Sequence, residues 1–154
     1  MSGLKYFCGD DYGVTLRREM HYSQAVRVGD NIEISGQGGW DPKTGEIANH
    51  LLQEIDQAFE NVDLTLKNAG GEGWSQVFRI RLYAVDEAWN AESIGRMVDN
   101  IKKWTPNHAP ILTGVGVTKL GQPGMRVEVE VSAYDPREPK KTSEKNEMPQ
   151  KLDV

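Results

Sequence analysis

The sequence predicts an α+β domain: one sheet with two helices covering one of its faces. Two stretches carry apolar residues three or four apart, as helices that bury one stripe do. Several shorter stretches alternate polar and apolar residues, and Gly-, Pro- and Asp-containing turns separate them. Two amphipathic helices without a second sheet are best buried together on one face of the strands.

Residues 1 to about 13 show no clear period, and Gly9, Asp10, Asp11 and Gly13 read as a turn. Val14-Thr15-Leu16 is expected as a short strand. Ala25-Val26-Arg27-Val28 and Asn31-Ile32-Glu33-Ile34-Ser35 form a hairpin across Gly29-Asp30. Asp41-Pro42-Lys43-Thr44-Gly45 is a turn. Leu51, Ile55, Ala58, Phe59, Val62, Leu66 and Ala69 mark the first long helix, which Gly70-Gly71 ends. Phe78, Ile80, Leu82 and Ala84 alternate with Arg79, Arg81, Tyr83 and Val85 in a strand. A second helix spans roughly 87 to 104, with Ile94, Met97, Val98, Ile101 and Trp104 on one face and Pro106 beyond its end. Two strands follow: Ile111, Thr113, Val115 and Val117 alternate with Leu112, Gly114, Gly116 and Thr118, then Val127, Val129, Val131 and Ala133 with Arg126, Glu128, Glu130 and Ser132. Residues 1–134 therefore read as a single domain. The stretch 135–154, rich in Lys, Glu and Pro, is expected to be a disordered tail, since it has too little apolar surface to offset its ordering entropy.

The sheet face away from the helices is expected to carry Asn31, Glu33, Ser35, Arg79, Arg81, Tyr83, Arg126, Glu128 and Glu130, with Gly114 and Gly116 adding little bulk. Two readings stand side by side: a solvated face, common in antiparallel sheets, or a subunit interface in which the arginines offset the glutamates.

Composition excludes several classes. The chain has 154 residues, 38% hydrophobic and 27% charged, which suits one soluble, globular domain. No apolar run approaches the roughly 18 residues that a membrane span needs, and the start of the chain has no secretory pattern. The single cysteine, Cys8, permits no internal disulfide and fits a cytoplasmic setting. A net charge of -5 without a basic cluster argues against nucleic-acid partners. The clusters Gly36-Gln37-Gly38-Gly39, Gly70-Gly71-Glu72-Gly73 and Gly114-Val115-Gly116 lack dinucleotide-binding spacing. His21, His50 and His108 are isolated, so no metal site is expected.

Glu128 lies mid-strand between valines. It is either a cross-strand partner for an arginine such as Arg81 or an acid/base group whose pKa is raised at an interface. Tyr22 is either a strand-edge aromatic or a hydroxyl that orients a ligand. Tryptophans usually anchor cores or interfaces; Trp40 stands apart because it sits in a glycine-flanked loop after a strand.

Tyr22-Ser23-Gln24-Ala25, Ile34-Ser35-Gly36-Gln37, Asp41-Pro42-Lys43-Thr44-Gly45-Glu46, the stretch from Gln57 to Gly71, and Val127-Glu128-Val129-Glu130 stand in the order and near the spacing of the RidA/YjgF reactive-intermediate deaminases. The chain resembles that family over roughly residues 20 to 134. The resemblance implies a chorismate-mutase-like fold and a homotrimer with clefts between neighbours. It further implies cofactor-free hydrolysis of small enamines and imines, such as 2-aminoacrylate and its imine tautomer, to keto acids and ammonia. By position, Tyr22 matches the cleft tyrosine, Ser35 and Gly36 match residues beside the ligand, and Glu128 matches the glutamate that positions or activates water.

The departure is at Leu112, two residues beyond Pro110, where active members carry an arginine that clamps the substrate carboxylate. Leucine offers neither of the two charge-assisted hydrogen bonds of a guanidinium. The helix asparagine near the family's cleft is also missing, around Gly95, and the loop Gly121–Met125 is one residue longer than usual. Three outcomes are open. The substrate lacks a carboxylate, and Leu112 with Trp40 walls an apolar pocket to which Thr113 and Gly114 also belong; or Arg81, expected on the face of Leu112, replaces the clamp; or the protein binds a metabolite without turning it over. Some relatives are described as endoribonucleases, a role the acidic charge does not favour.

Overall fold

The computed structural model describes residues 3–137. Strands β1 (Lys5–Phe7), β2 (Ala25–Val28), β3 (Asn31–Ile34), β4 (Gln37–Gly38), β5 (Val77–Ala84), β6 (Ile111–Gly116) and β7 (Val127–Tyr134) form one sheet. Its order is β1-β2-β3-β7-β5-β6, with β4 also paired to β7. Among the described residues only β5 and β6 are parallel, because the helix α3 (Ala91–Trp104) crosses between them. The mixed sheet with helices on one face agrees with the expected α+β class.

Helix α2 (Leu51–Asn68) buries Ile55, Ala58, Phe59, Val62 and Leu66 against Ile32, Ile34, Ile80, Leu82, Val127, Val129 and Val131 of the sheet. This is the stripe the sequence predicts. Gly70 and Gly71 end it as expected: the Gly71 N–H donates to the Leu66 carbonyl (3.0 Å), the Gly70 N–H donates to that of Lys67 (2.9 Å), and Gly70 has φ +83°. The expected hairpin forms, with Val28 opposite Asn31. Asp41 closes the expected turn by accepting the N–H groups of Lys43 and Thr44.

Five expectations change. Val14-Thr15-Leu16 is helical, within α1 (Tyr12–Met20). No residue of α1 is buried, so this helix lacks the apolar stripe that reveals one in sequence. Helix α3 starts at Ala91, because the Asn90 side chain accepts the Ser93 N–H and caps it there; residues 86–88 form a separate 3-10 turn. Arg126 does not join the open sheet face. It precedes β7, and its Nε donates to the buried Glu54 carboxylate of α2 (2.6 Å). Gly114 and Gly116 lie opposite Leu82 and Ala84 and so share their helix-covered face, where Trp89 packs on both. Finally, Asp135 is tied down: it pairs with Arg27, accepts from Gln76, and donates its N–H to Asp30. Arg27 in turn donates to the Ala69 carbonyl at the end of α2 (2.8 Å). The rest of the expected tail, from residue 138, lies outside the described residues.

Candidate functional site

Alternation along β7 sends Val127, Val129 and Val131 into the core and Glu128 and Glu130 to the open face. Glu128 pairs with Gly38 of β4, and the partner strand is interrupted just beyond it, opposite residues 130 and 131. Glu33 of β3 pairs with Ser132, whereas Gln37 of β4 pairs with Val129, so residues 34–36 oppose only residues 130 and 131. This is a β-bulge with one extra residue, a device that re-aims side chains. Gly36 sits in it. A Cβ built on Gly36 would lie 1.9 Å from Glu128 Oε1 and 2.6 Å from its carboxyl carbon. The Glu128 carboxylate thus occupies the space that any other residue at 36 would fill.

Glu128 is partly buried and has no hydrogen-bond or ion-pair partner among the described residues. Burial, and secondarily the charge of Glu130, push its carboxyl above the usual glutamate range. Glu130 is differently placed. It accepts from Arg81 Nη1 and from the Tyr83 hydroxyl, each at 2.9 Å. Tyr83 also stands directly opposite Glu128 on β5, and its phenol is pushed up by burial and by Glu130. Two neighbouring carboxylates therefore differ in kind: Glu130 is engaged by two donors, whereas Glu128, pushed up by burial, has none and can take and return a proton.

Ser35 adjoins Gly36, but both its N–H and its hydroxyl donate to the Gln24 carbonyl. Its remaining capacity is as an acceptor. Tyr22 is 36% exposed, and its hydroxyl has no partner among the described residues. It precedes Gln24, so the hairpin carries it towards the end of β3 where the bulge lies.

The other expected site residues are elsewhere. Trp40 is buried, packed edge-on to Tyr12 with ring centroids 5.7 Å apart, and Asn61 holds its carbonyl. Arg81 does not share the face of Leu112. It lies opposite Thr113 and is committed to Glu130, whereas Leu112 lies opposite Ile80 on the helix side of the sheet. Leu112 and Glu128 are on opposite faces with β5 between them. Leu112 is nonetheless half exposed (52%), because β6 is an edge strand. Gly95 is on α3 with open space around its Cβ position.

Sequence reasoning missed the Glu54 cluster. This carboxylate is fully buried, accepts the Arg126 N–H and Nε at 2.6 Å each, and fixes the start of β7 two residues before Glu128. Its only sequence signal is an acidic residue beside an apolar helical stripe. The described residues contain no cluster of metal-ligating side chains and no helix long and apolar enough to cross a membrane.

Residues 14–135 match the family model described as Endoribonuclease L-PSP. The chain is 31% identical over 112 residues to a RutC family protein of Aquifex aeolicus, covering 73% of this chain and 86% of that one. It is 32% identical over 113 residues to the mouse 2-iminobutanoate/2-iminopropanoate deaminase, covering 73% and 79%. Among solved structures, Protein YJGH superposes with a TM-score of 0.72 at 26% identity, over 86% of this chain and 95% of that one. RidA from Psychrobacter sp. PAMC 21119 superposes with a TM-score of 0.65 at 29% identity, over 73% and 87%.

Proposed function

This chain belongs to the RidA/YjgF family, the family of the matching L-PSP model, and from that premise we propose that it hydrolyses a small imine, or the enamine that tautomerises to one, in a cleft between subunits. The observation that carries the reading is Glu128: a carboxylate without a partner among the described residues, raised above its usual range, seated over the bare backbone of Gly36. Relatives named 2-iminobutanoate/2-iminopropanoate deaminase support the substrate class.

The chemistry needs one proton carrier and one water. Glu128 takes a proton from water as the oxygen adds to the imine carbon, and the proton is delivered to the imine nitrogen. The resulting carbinolamine collapses to a carbonyl and ammonia, so one water is consumed per imine. Tyr22 orients the ligand with its free hydroxyl, and Ser35 and Gly36 line the same corner. No cofactor is required for these steps.

The cleft is read as shared because one chain cannot turn Glu128 and Leu112 towards one ligand: they lie on opposite sheet faces with β5 between. In a homotrimer, Leu112, Thr113 and Gly114 of the edge strand would instead complete a neighbour's site. Leucine at 112 offers no clamp for a carboxylate, and Arg81 is already held by Glu130. The preferred substrate is therefore less acidic than 2-iminopropionate. The same leucine favours a second reading, a trimeric protein that binds a metabolite without turning it over.

The test is hydrolysis of 2-iminopropionate, generated in situ by an amino-acid oxidase, for wild type and Leu112→Arg. Weak wild-type activity that rises in the variant supports a working proton site with altered specificity. Fast wild-type hydrolysis refutes the need for a clamp. Silence from both, with retained ligand binding, favours the binding protein. A monomeric mass by light scattering at micromolar concentration would overturn the shared cleft.

A further inference from the structure

On the edge strand β6, the helix-side positions are Leu112, Gly114 and Gly116. The indole of Trp89 runs along the two glycines: a Cβ at Gly114 would meet its Cη2 at 3.0 Å, and one at Gly116 its Nε1 at 3.2 Å. Glycine in both positions lets a large side chain approach the strand backbone this closely. The Nε1–H donates to the Ala84 carbonyl at 3.0 Å, which fixes the orientation of the ring. Trp89 nevertheless stays 36% exposed. Alternate residues of a strand stand about 7 Å apart on one face, so the half-exposed Leu112 comes next in line beyond the Cη2 end of the indole.

Helix α3 extends this apolar strip. Ile94 and Val98 are exposed and stand on the side of α3 opposite to Arg96, which pairs with Asp56 of α2. They therefore face the β6 side of the helix rather than α2. Gly95 beside them carries no side chain, and the space at its Cβ position is open. The strip offers no side-chain donor: the one donor of Trp89 is spent on Ala84, and Thr113 lies on the other face of β6, opposite Arg81.

We propose that the shared reaction cleft selects an imine whose side chain is a flat aromatic ring, and that Trp89 and Leu112 form the wall that receives the ring. This rests on the imine reading above and names its substrate class. A cleft that Leu112 completes is bordered by the indole as well, because both occupy one face of one strand. From the facing subunit, Gly36 brings no side chain to fill the gap over that wall. A polar substituent there would lose water and gain no partner. An aromatic ring loses little and gains the pairing geometry that aromatic side chains share, on an indole already held in place.

The full-length protein is assayed with two imines made in situ by one amino-acid oxidase, from alanine and from phenylalanine. The oxidase passes the two electrons of each amino acid to oxygen, and catalase removes the peroxide. Water then converts each imine to its keto acid and ammonia. Both imines carry the same carboxylate, so the ratio of their kcat/KM values reads the side chain alone. The phenyl compound should be preferred about tenfold or more. Trp89→Ala should cut that preference roughly three- to tenfold, as the loss of one aromatic pair implies. If this variant fails to fold, Leu112→Ser, at a half-exposed position, should cut it in the same direction. Binding is followed without turnover through the indole N–H resonance of Trp89. Phenylacetamide should shift that resonance saturably and acetamide should not.

Equal kcat/KM for the two imines would overturn the proposal, as would a preference that survives both substitutions. An indole resonance that phenylacetamide leaves unmoved would also overturn it, and would mean that the neighbouring subunit itself covers Trp89. Turnover of both imines without preference sinks the ring-binding wall and spares the imine chemistry. A saturable shift without turnover of either imine does the reverse.

Discussion

Gly36→Ala separates the proton site from the fold. The new Cβ would sit 1.9 Å from Glu128 Oε1, where ordinary contact begins near 3.4 Å, so the carboxylate must retreat by about 1.5 Å. The backbone imposes no penalty, because Gly36 is not among the residues of positive φ. The obstacle is wholly side chain, from Oε1 back to Cγ at 2.7 Å, so the glutamate must turn about χ1, and an off-rotamer glutamate costs about 0.5–1.5 kcal/mol. Loss of the glycine's unfolded-state entropy returns about 0.4–1 kcal/mol. Stability should therefore change by less than about 1 kcal/mol, a melting shift of roughly 2–4 °C at most. Turnover should fall about 100-fold, since a misplacement of about 1 Å is enough for that loss. Thermal melting and imine-hydrolysis kinetics on one preparation give both numbers. Full activity in the variant would refute the claim that Glu128 must occupy the space over Gly36. A large loss of stability would refute the premise that only the side chain moves.

Gly39→Ala should behave oppositely, because its Cβ meets the Glu54 backbone oxygen at 2.1 Å and α2 cannot swing aside; a loss of about 2–3 kcal/mol in urea unfolding is expected. Arg126→Met leaves the Glu54 carboxylate buried without its cation and should cost about 3–5 kcal/mol, part of it recovered when Glu54→Leu is added. Glu130→Gln removes the charge that helps to raise Glu128, so the acidic limb of kcat/KM should move to lower pH; a limb that moves up or stays would argue against Glu128 as the proton acceptor. Glu128→Gln tests linkage. The folded pKa of Glu128 lies above its unfolded value, so the stability associated with its protonated form is complete below the unfolded value and lost as pH rises through the folded one. The variant should gain stability relative to wild type across that window, measured by denaturant unfolding at stepped pH.

Periodicity made much of this fold legible. The stripe from Ile55 to Leu66 and the alternation of Val127, Val129 and Val131 each describe one continuous buried face, and both formed as expected. Helix α1 was illegible because none of its residues is fully buried, and the start of α3 because Asn90 acts through a cap rather than through a period. The chemistry of Glu128 was half legible. A carboxylate between valines is visible in sequence, but the bulge that aims it is a relation between residues 34–36 and residues 130–131, far apart along the chain. Local pattern has no access to such a relation.

The same limit governed Leu112 and Arg81. Alternation within β6 divides its residues into two sets, but pairing with β5 decides which set faces the helices. The register places Leu112 beside Ile80 and Arg81 beside Thr113, so the arginine expected as a replacement clamp does not share the face of Leu112; it lies on the open face with Glu128 and is paired with Glu130. Within a single chain, a substrate carboxylate would have to compete with Glu130 for Arg81. Beside that reading stand a less acidic substrate and a loss of turnover. The raised carboxylate of Glu128 argues for a less acidic substrate over a loss of turnover, since a protein that only binds gains nothing from holding a partly buried carboxylate without a partner among the described residues.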